Sequence, residues 1–91
     1  MVLKTTKIEI EKIIFEPEKD LITVLKKPEQ DGEREIFFIF PSLSEEKICN
    51  VSHRSEDKKG HRWDEGVIAT FEFSINEASL SSIIDLISKV E

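Results

Sequence analysis

The chain has 91 residues, 38% of them hydrophobic and 35% charged, with a net charge of −6. That length holds one domain, 1–91, and no second core. It buries roughly 60–65% of its unfolded surface, enough to fold without metal or disulfides. Residues 1–30 balance six Lys against six acids, whereas 31–53 carry five acids against two bases and 67–91 four against one. Bases concentrate only in 54–66, four of them, and four acids sit among them. No broadly basic face is expected, which removes the usual electrostatic footprint for nucleic acid or an anionic membrane. Cys49 stands alone, and Met1-Val2-Leu3-Lys4 lacks the apolar core of a signal peptide. The longest apolar run is five residues, far short of a membrane span. The expected setting is intracellular, cytoplasmic or nuclear.

Ile8 and Ile10 alternate with charged residues, the pattern of a half-buried strand. The phase then slips by one, because Ile13 and Phe15 continue the apolar set; a β-bulge near Lys12 restores it. A first strand over about 6–15 follows, in preference to a short helix, since four Ile precede Phe15 and Pro17 comes at once. Glu16–Asp20 reads as a turn and 21–27 as a second, antiparallel strand. Asp31-Gly32 marks the next turn. Ile36-Phe37-Phe38-Ile39-Phe40, closed by Pro41, is apolar at every position, so the strand over 34–40 reads as buried on both faces.

Ser42 with Glu45 has the spacing of a capping box, room for one helical turn. A fourth strand is expected over 47–53, a turn at Asp57–Gly60, and a fifth strand over 62–75 with Val67, Ala69, Phe71, Phe73 and Ile75 inward. The C-terminal helix, 77–90, starts from Asn76 as N-cap, with Ile75 and Leu80 as a hydrophobic staple. Leu80, Ile83, Ile84, Ile87 and Val90 form its apolar stripe, and Leu86 falls off it. The fold class is therefore α+β: about five antiparallel strands, curled into a small sandwich or partial barrel and closed by one C-terminal helix. In plan this is similar to pleckstrin-homology-like domains, on architecture alone, since no motif carries the likeness.

Cys49 to Glu65 holds the only Cys, both His residues and the only Trp. Cys49, His53, His61 and Asp64 are zinc-ligand types, but Cys49 and His53 lie roughly 13 Å apart on an unbent strand. A buried Cys with surface His residues is the expected reading, with no metal and no cofactor. Cys49 with either His has the types of a nucleophile and base, yet neither a helix N-terminus nor a Gly-rich oxyanion loop is expected beside it. No GxSxG, HExxH or phosphate-cradling loop occurs. The reading is a protein that is not an enzyme.

Arg54, Lys58, Lys59, His61, Arg62 and Trp63 mix cations with an aromatic ring, as single-strand binders do, while Glu56, Asp57, Asp64 and Glu65 cancel the charge. A turn at Asp57–Gly60 sets Arg54 opposite Trp63 and His53 opposite Asp64, ordinary cross-strand pairs. Trp63 is the foremost contact residue of this set. Glu33, Glu35, Glu45 and Glu46, with Glu29 and Asp31, flank the central strand as an acidic patch for a basic partner. The expected function is a non-enzymatic interaction domain binding another protein through the 54–66 hairpin, the acidic loops or a strand edge. The alternative is a small acidic inhibitor, of the immunity or anti-defence type, masking a basic nucleic-acid-binding site. Lys4, Lys7, Lys12, Lys26 and Lys27 around the first hairpin read as edge protection and favour a monomer.

Overall fold

A computed structural model describes residues 10–26 and 34–90. Five strands, β1 (Ile10–Glu16), β2 (Leu21–Lys26), β3 (Arg34–Pro41), β4 (Ile48–Glu56) and β5 (Arg62–Glu72), precede one helix, α1 (Leu80–Val90). Single 3₁₀ turns lie at Pro17–Lys19 and Ile75–Glu77. The strands pair antiparallel in chain order, β1-β2-β3-β4-β5. Short links leave consecutive strands no other partner, so an antiparallel meander results. The helix is shorter than a membrane span requires, and no other helix among the described residues crosses one.

The α+β class and its C-terminal helix match the sequence reading. The expected start of β1 at 6–9 and the end of β2 at 27 lie outside the described residues. The bulge falls where the phase slip placed it, with Glu11 unpaired between Ile10↔Lys26 and Lys12↔Leu25. It puts Ile13 and Phe15 opposite Val24 and Ile22. At the β3–β4 link, Ser42 Oγ accepts the amide N–H groups of Ser44 and Glu45 at 3.3 Å, but no helical turn follows. Lys47 instead takes φ +64° and turns the chain into β4.

One face of the sheet is the core. Ile22, Val24, Phe37, Ile39, Cys49 and Val51 are fully or almost fully buried there, together with Ile75, Ile83, Leu86 and Ile87. Each such side chain contributes about 1.5–3 kcal/mol on leaving water. The helical stripe is rotated from its expected position. Leu86 is buried, whereas Leu80 is 65% and Ile84 37% exposed. The reason is the start of the helix. Ala78 stays extended, and Ser79 is the cap, its Oγ accepting from the Ser82 amide while Ser82 Oγ accepts from the Ser79 amide. That reciprocal pair satisfies two otherwise unpaired donors. Starting at Leu80 aims Ile83, Leu86, Ile87 and Val90 at the sheet, an i, i+3, i+4, i+7 set.

No element among the described residues lies over the other face. Among the described residues β1 and β5 do not pair, so the sheet stays open and neither a barrel nor a second sheet forms. The central strand is therefore buried on one face only: Phe37 and Ile39 are buried, but Ile36, Phe38 and Phe40 are only partly covered. Ile14, Leu21, Leu25 and Ile48 share their side and their half-buried state. The smallest extent of the molecule, 19 Å, is that of two layers.

β5 also departs from its expected alternation. Ala69 and Phe71 face the core opposite Val51 and Cys49, but Val67 pairs with Ser52 on the open face and is 53% exposed. Ile68 is the extra residue that flips the phase. A second extra residue, Glu65, separates Arg54↔Asp64 from His53↔Gly66. Gly66 sits beside it at φ +69°, a backbone region that glycine enters without strain.

Candidate interaction surface

The expected Asp57–Gly60 turn forms, with the Gly60 amide donating to the Asp57 carbonyl at 3.2 Å, but the strands first pair at Asp57 and His61, a one-residue shift in register. The Asp57 amide donates to the His61 carbonyl at 3.0 Å, and Gly60 takes φ +85° inside the loop. Asp57 Oδ1 accepts the amides of Lys59 and His61, and Oδ2 lies 2.9 Å from His61 Nδ1. The shift changes both expected cross-strand pairs. Arg54 faces Asp64, 3.3 Å away, and Trp63 faces Ser55. The guanidinium of Arg54 lies 5.5 Å from the Phe38 ring centroid, so its aromatic partner is on β3. His53 faces Gly66 in place of Asp64.

The charges of this hairpin are largely spent within it. Arg62 Nε is 3.9 Å from Glu56, and His61 pairs with Asp57. Lys58 also has an interaction partner. Lys59 is exposed in the turn. Trp63 is 48% exposed, with the His61 ring edge-on at 6.4 Å. Trp63 lies on the helix side of the sheet, in the row of the buried Ser55, whereas Arg54 and Arg62 lie on the open side. The six candidate contact residues therefore divide between two faces and a turn.

The acidic patch divides too. Glu33 lies outside the described residues. Glu35 belongs to the hairpin end of the sheet, 2.9 Å from Lys26 Nζ and 3.3 Å from His53 Nε2. Glu45 and Glu46 lie at the opposite end, in the β3–β4 link, and form no ion pair with a described residue. Glu16, Glu18, Asp20 and Glu72 gather at that same end against Lys19 and Lys47. One end of the sheet is thus acidic, and the other balances Arg34, Arg54 and Arg62 against Glu11, Asp64 and Glu56.

Cys49 is buried and donates its thiol to the Phe73 carbonyl at 3.2 Å; burial pushes its pKa above the ordinary value. His53 is buried as well, stacked on Phe37 with centroids 4.8 Å apart. Its Nδ1 is 2.8 Å from Glu65, and its Nε2, near Glu35, has no hydrogen-bond partner among the described residues. Among the described residues no three His, Cys, Asp or Glu side chains are arranged to hold a metal ion.

What the sequence reading missed is the open face. Phe38 is its centre, in a row that runs Ile14, Thr23, Phe38, Ser52, Val67 across all five strands. Towards the acidic end, Phe40, Ile48, Asn50 and Thr70 floor a shallow cavity of about 510 Å³. The β3–β4 link forms its rim, where Leu43 is fully exposed. The available signal was one of layers: a single helix covers one face of a sheet, and a central strand apolar on both faces leaves the second face uncovered. No family model, curated protein or solved structure matches this chain.

Proposed function

We propose that this chain is a non-enzymatic protein-interaction domain whose contact surface is the open face of its sheet. The observation that carries this reading is the half-buried apolar set of Ile36, Phe38 and Phe40, with no layer over it among the described residues. Val67 on the same face is 53% exposed and Leu43 at its rim is fully exposed, and exposed apolar surface beside such a set is a mark of an interaction site. The face also joins the two regions that the sequence singled out. Arg54 and Arg62 of the hairpin stand at one end of it, and the acidic β3–β4 link stands at the other.

Pairing through a strand edge is the weaker route. Glu11 interrupts β1, and Glu65 and Ile68 interrupt β5, so both edges of the sheet carry bulges. Bulged edges twist away from incoming strands. Trp63 remains an apolar handle on the other side, outside the main contact.

Capture of partners on immobilised protein tests this. Replacing Ser52 by Lys places a charge at the centre of the open face without removing any apolar side chain. Proteins held by the parent and by Trp63→Ala are expected to be lost with Ser52→Lys. Loss with Trp63→Ala and retention with Ser52→Lys would move the contact to the hairpin. A second reading, mimicry of phosphate charge by the acidic end, draws on Glu45 and Glu46, which form no ion pair with a described residue. Such binding weakens steeply as salt rises, whereas an apolar contact does not.

A further inference from the structure

The open face is nearly symmetric about its own central row, and from that symmetry we infer that its partner is a second copy of this chain, packed face to face with β3 antiparallel on β3. The inference rests on the open face being the contact surface. Two residues from the central row on the acidic side stand Leu21, Phe40, Asn50 and Thr70. Two residues away on the other side stand Leu25, Ile36, Arg54 and Asp64. A two-fold axis along the central row turns one set onto the other. Leu21 then faces the copy's Leu25, and Phe40 faces its Ile36. Polar Asn50 and Thr70 meet the copy's Arg54 and Asp64.

The charges select the same axis. On β1, Glu16 lies two residues above the central row and Lys12 two below, so each faces the other across the axis. On β5, Glu72 lies in the row of Ile48, four residues above Ser52, and Arg62 lies in the row of Glu56, four below. Glu72 of one copy therefore falls over Arg62 of the other, within the reach of long side chains in sheets that cross at about 30°. A two-fold along the strands does the opposite. It stacks the acidic end on itself and sets the apolar half, β1 to β3, on the polar half, β4 and β5. Like charges brought together in that way are disfavoured.

The size is sufficient for a specific, moderate contact. Five strands at 4.8 Å spacing and seven residues at 3.3 Å rise give a face of roughly 550 Å², about 1,100 Å² counting both copies. The arrangement leaves both helices outside and encloses Phe38 between two sheets, a sandwich made from two chains. It also gives the alternating strand β3 a reason to be apolar on both sides. Lys12 on β1 and the bulges of β1 and β5 guard the sheet edges against pairing and leave this face free to associate.

Sedimentation equilibrium of the purified 91-residue chain, from micromolar to millimolar concentration, tests the inference. The mass is expected to rise from monomer to dimer. Ser52→Lys is expected to weaken association about tenfold or more, and so is Val67→Lys, a change at an exposed position that keeps the fold if the first variant loses it. Glu72→Arg and Arg62→Glu should each weaken association, and the two together should restore it. Monomeric mass throughout, dimers indifferent to both Lys variants, or failure of the paired charge swap overturns the inference. A monomer whose Ser52→Lys variant nevertheless loses captured proteins overturns the self-association alone and leaves the interaction surface in place.

Discussion

His53 places Nδ1 2.8 Å from a Glu65 carboxylate oxygen, and Glu65 reaches it only because it is the unpaired residue of a β5 bulge. A carboxylate can only accept, so the contact requires the proton on Nδ1. The imidazole is buried against Phe37, and its other nitrogen has no hydrogen-bond partner among the described residues. Glu65→Ala therefore leaves a buried donor unmet and should destabilise the fold by about 1 kcal/mol. Glu65→Gln, which keeps an acceptor, should lose about half of that. Urea unfolding of the three proteins measures both.

The rotated helix face gives a second expectation. Leu86 lies in the core, while Leu80 is largely in water. Leu86→Ala should destabilise by about 2–4 kcal/mol, and Leu80→Ala by less than about 0.5 kcal/mol. Equal effects, read from thermal melts, would return the stripe to the position that periodicity alone assigns.

Acid should weaken the β4–β5 turn first. Burial pushes the Asp57 carboxyl up, but the His61 amide, the His61 ring and the Lys59 amide together hold it below its ordinary value of 3.8. The Gly66 amide and then the Arg54 guanidinium hold Asp64 below the same value against slight burial. A carboxyl depressed in the folded state contributes stability that is complete above its unfolded value and lost as pH falls through the folded one. Stability should thus decline from about pH 4 downward. Asp57→Asn should be less stable at neutral pH and show a flatter acid limb. Both groups face solvent, so the effect is small and salt reduces it.

Cys49 should be silent towards thiol reagents. Burial keeps the thiol protonated, and its hydrogen goes to the Phe73 carbonyl. Alkylation at neutral pH should follow the unfolding rate, with labelling complete only in denaturant. Rapid labelling of the native protein would place Cys49 outside the core.

Much of this fold was legible from residues alone, because strong local signals and tertiary packing agree. The slip between Ile10 and Ile13 gave the β1 bulge, and Pro41 and Asp57 marked real ends of strands. Register across the last hairpin was not legible, since Lys58 to His61 admit loops that differ by one residue, and one residue reverses every side chain. That difference moved Arg54 from Trp63 to Asp64 and, with the bulges, moved Val67 to the open face. The helix start was hidden because Asn76 and Ser79 are both good caps, and only packing chooses between them. The open face was hidden for a different reason. An apolar strand states that both its faces want cover, but not whether its own chain supplies it.

The proposed contact is the open face, centred on Phe38 and Ser52, with a second copy of this chain. Cysteine crosslinking at the axis tests it most directly. Ser52 lies on the central row, so the two Ser52 positions of a dimer oppose each other across sheets about 10 Å apart. With Cys49 buried, Ser52→Cys supplies the reactive thiol, and Leu80→Cys supplies a control on the helix side. A short bis-maleimide is expected to join Ser52→Cys into a covalent dimer in high yield and to leave Leu80→Cys largely monomeric. Equal yields from the two positions, or none from Ser52→Cys, would contradict the account.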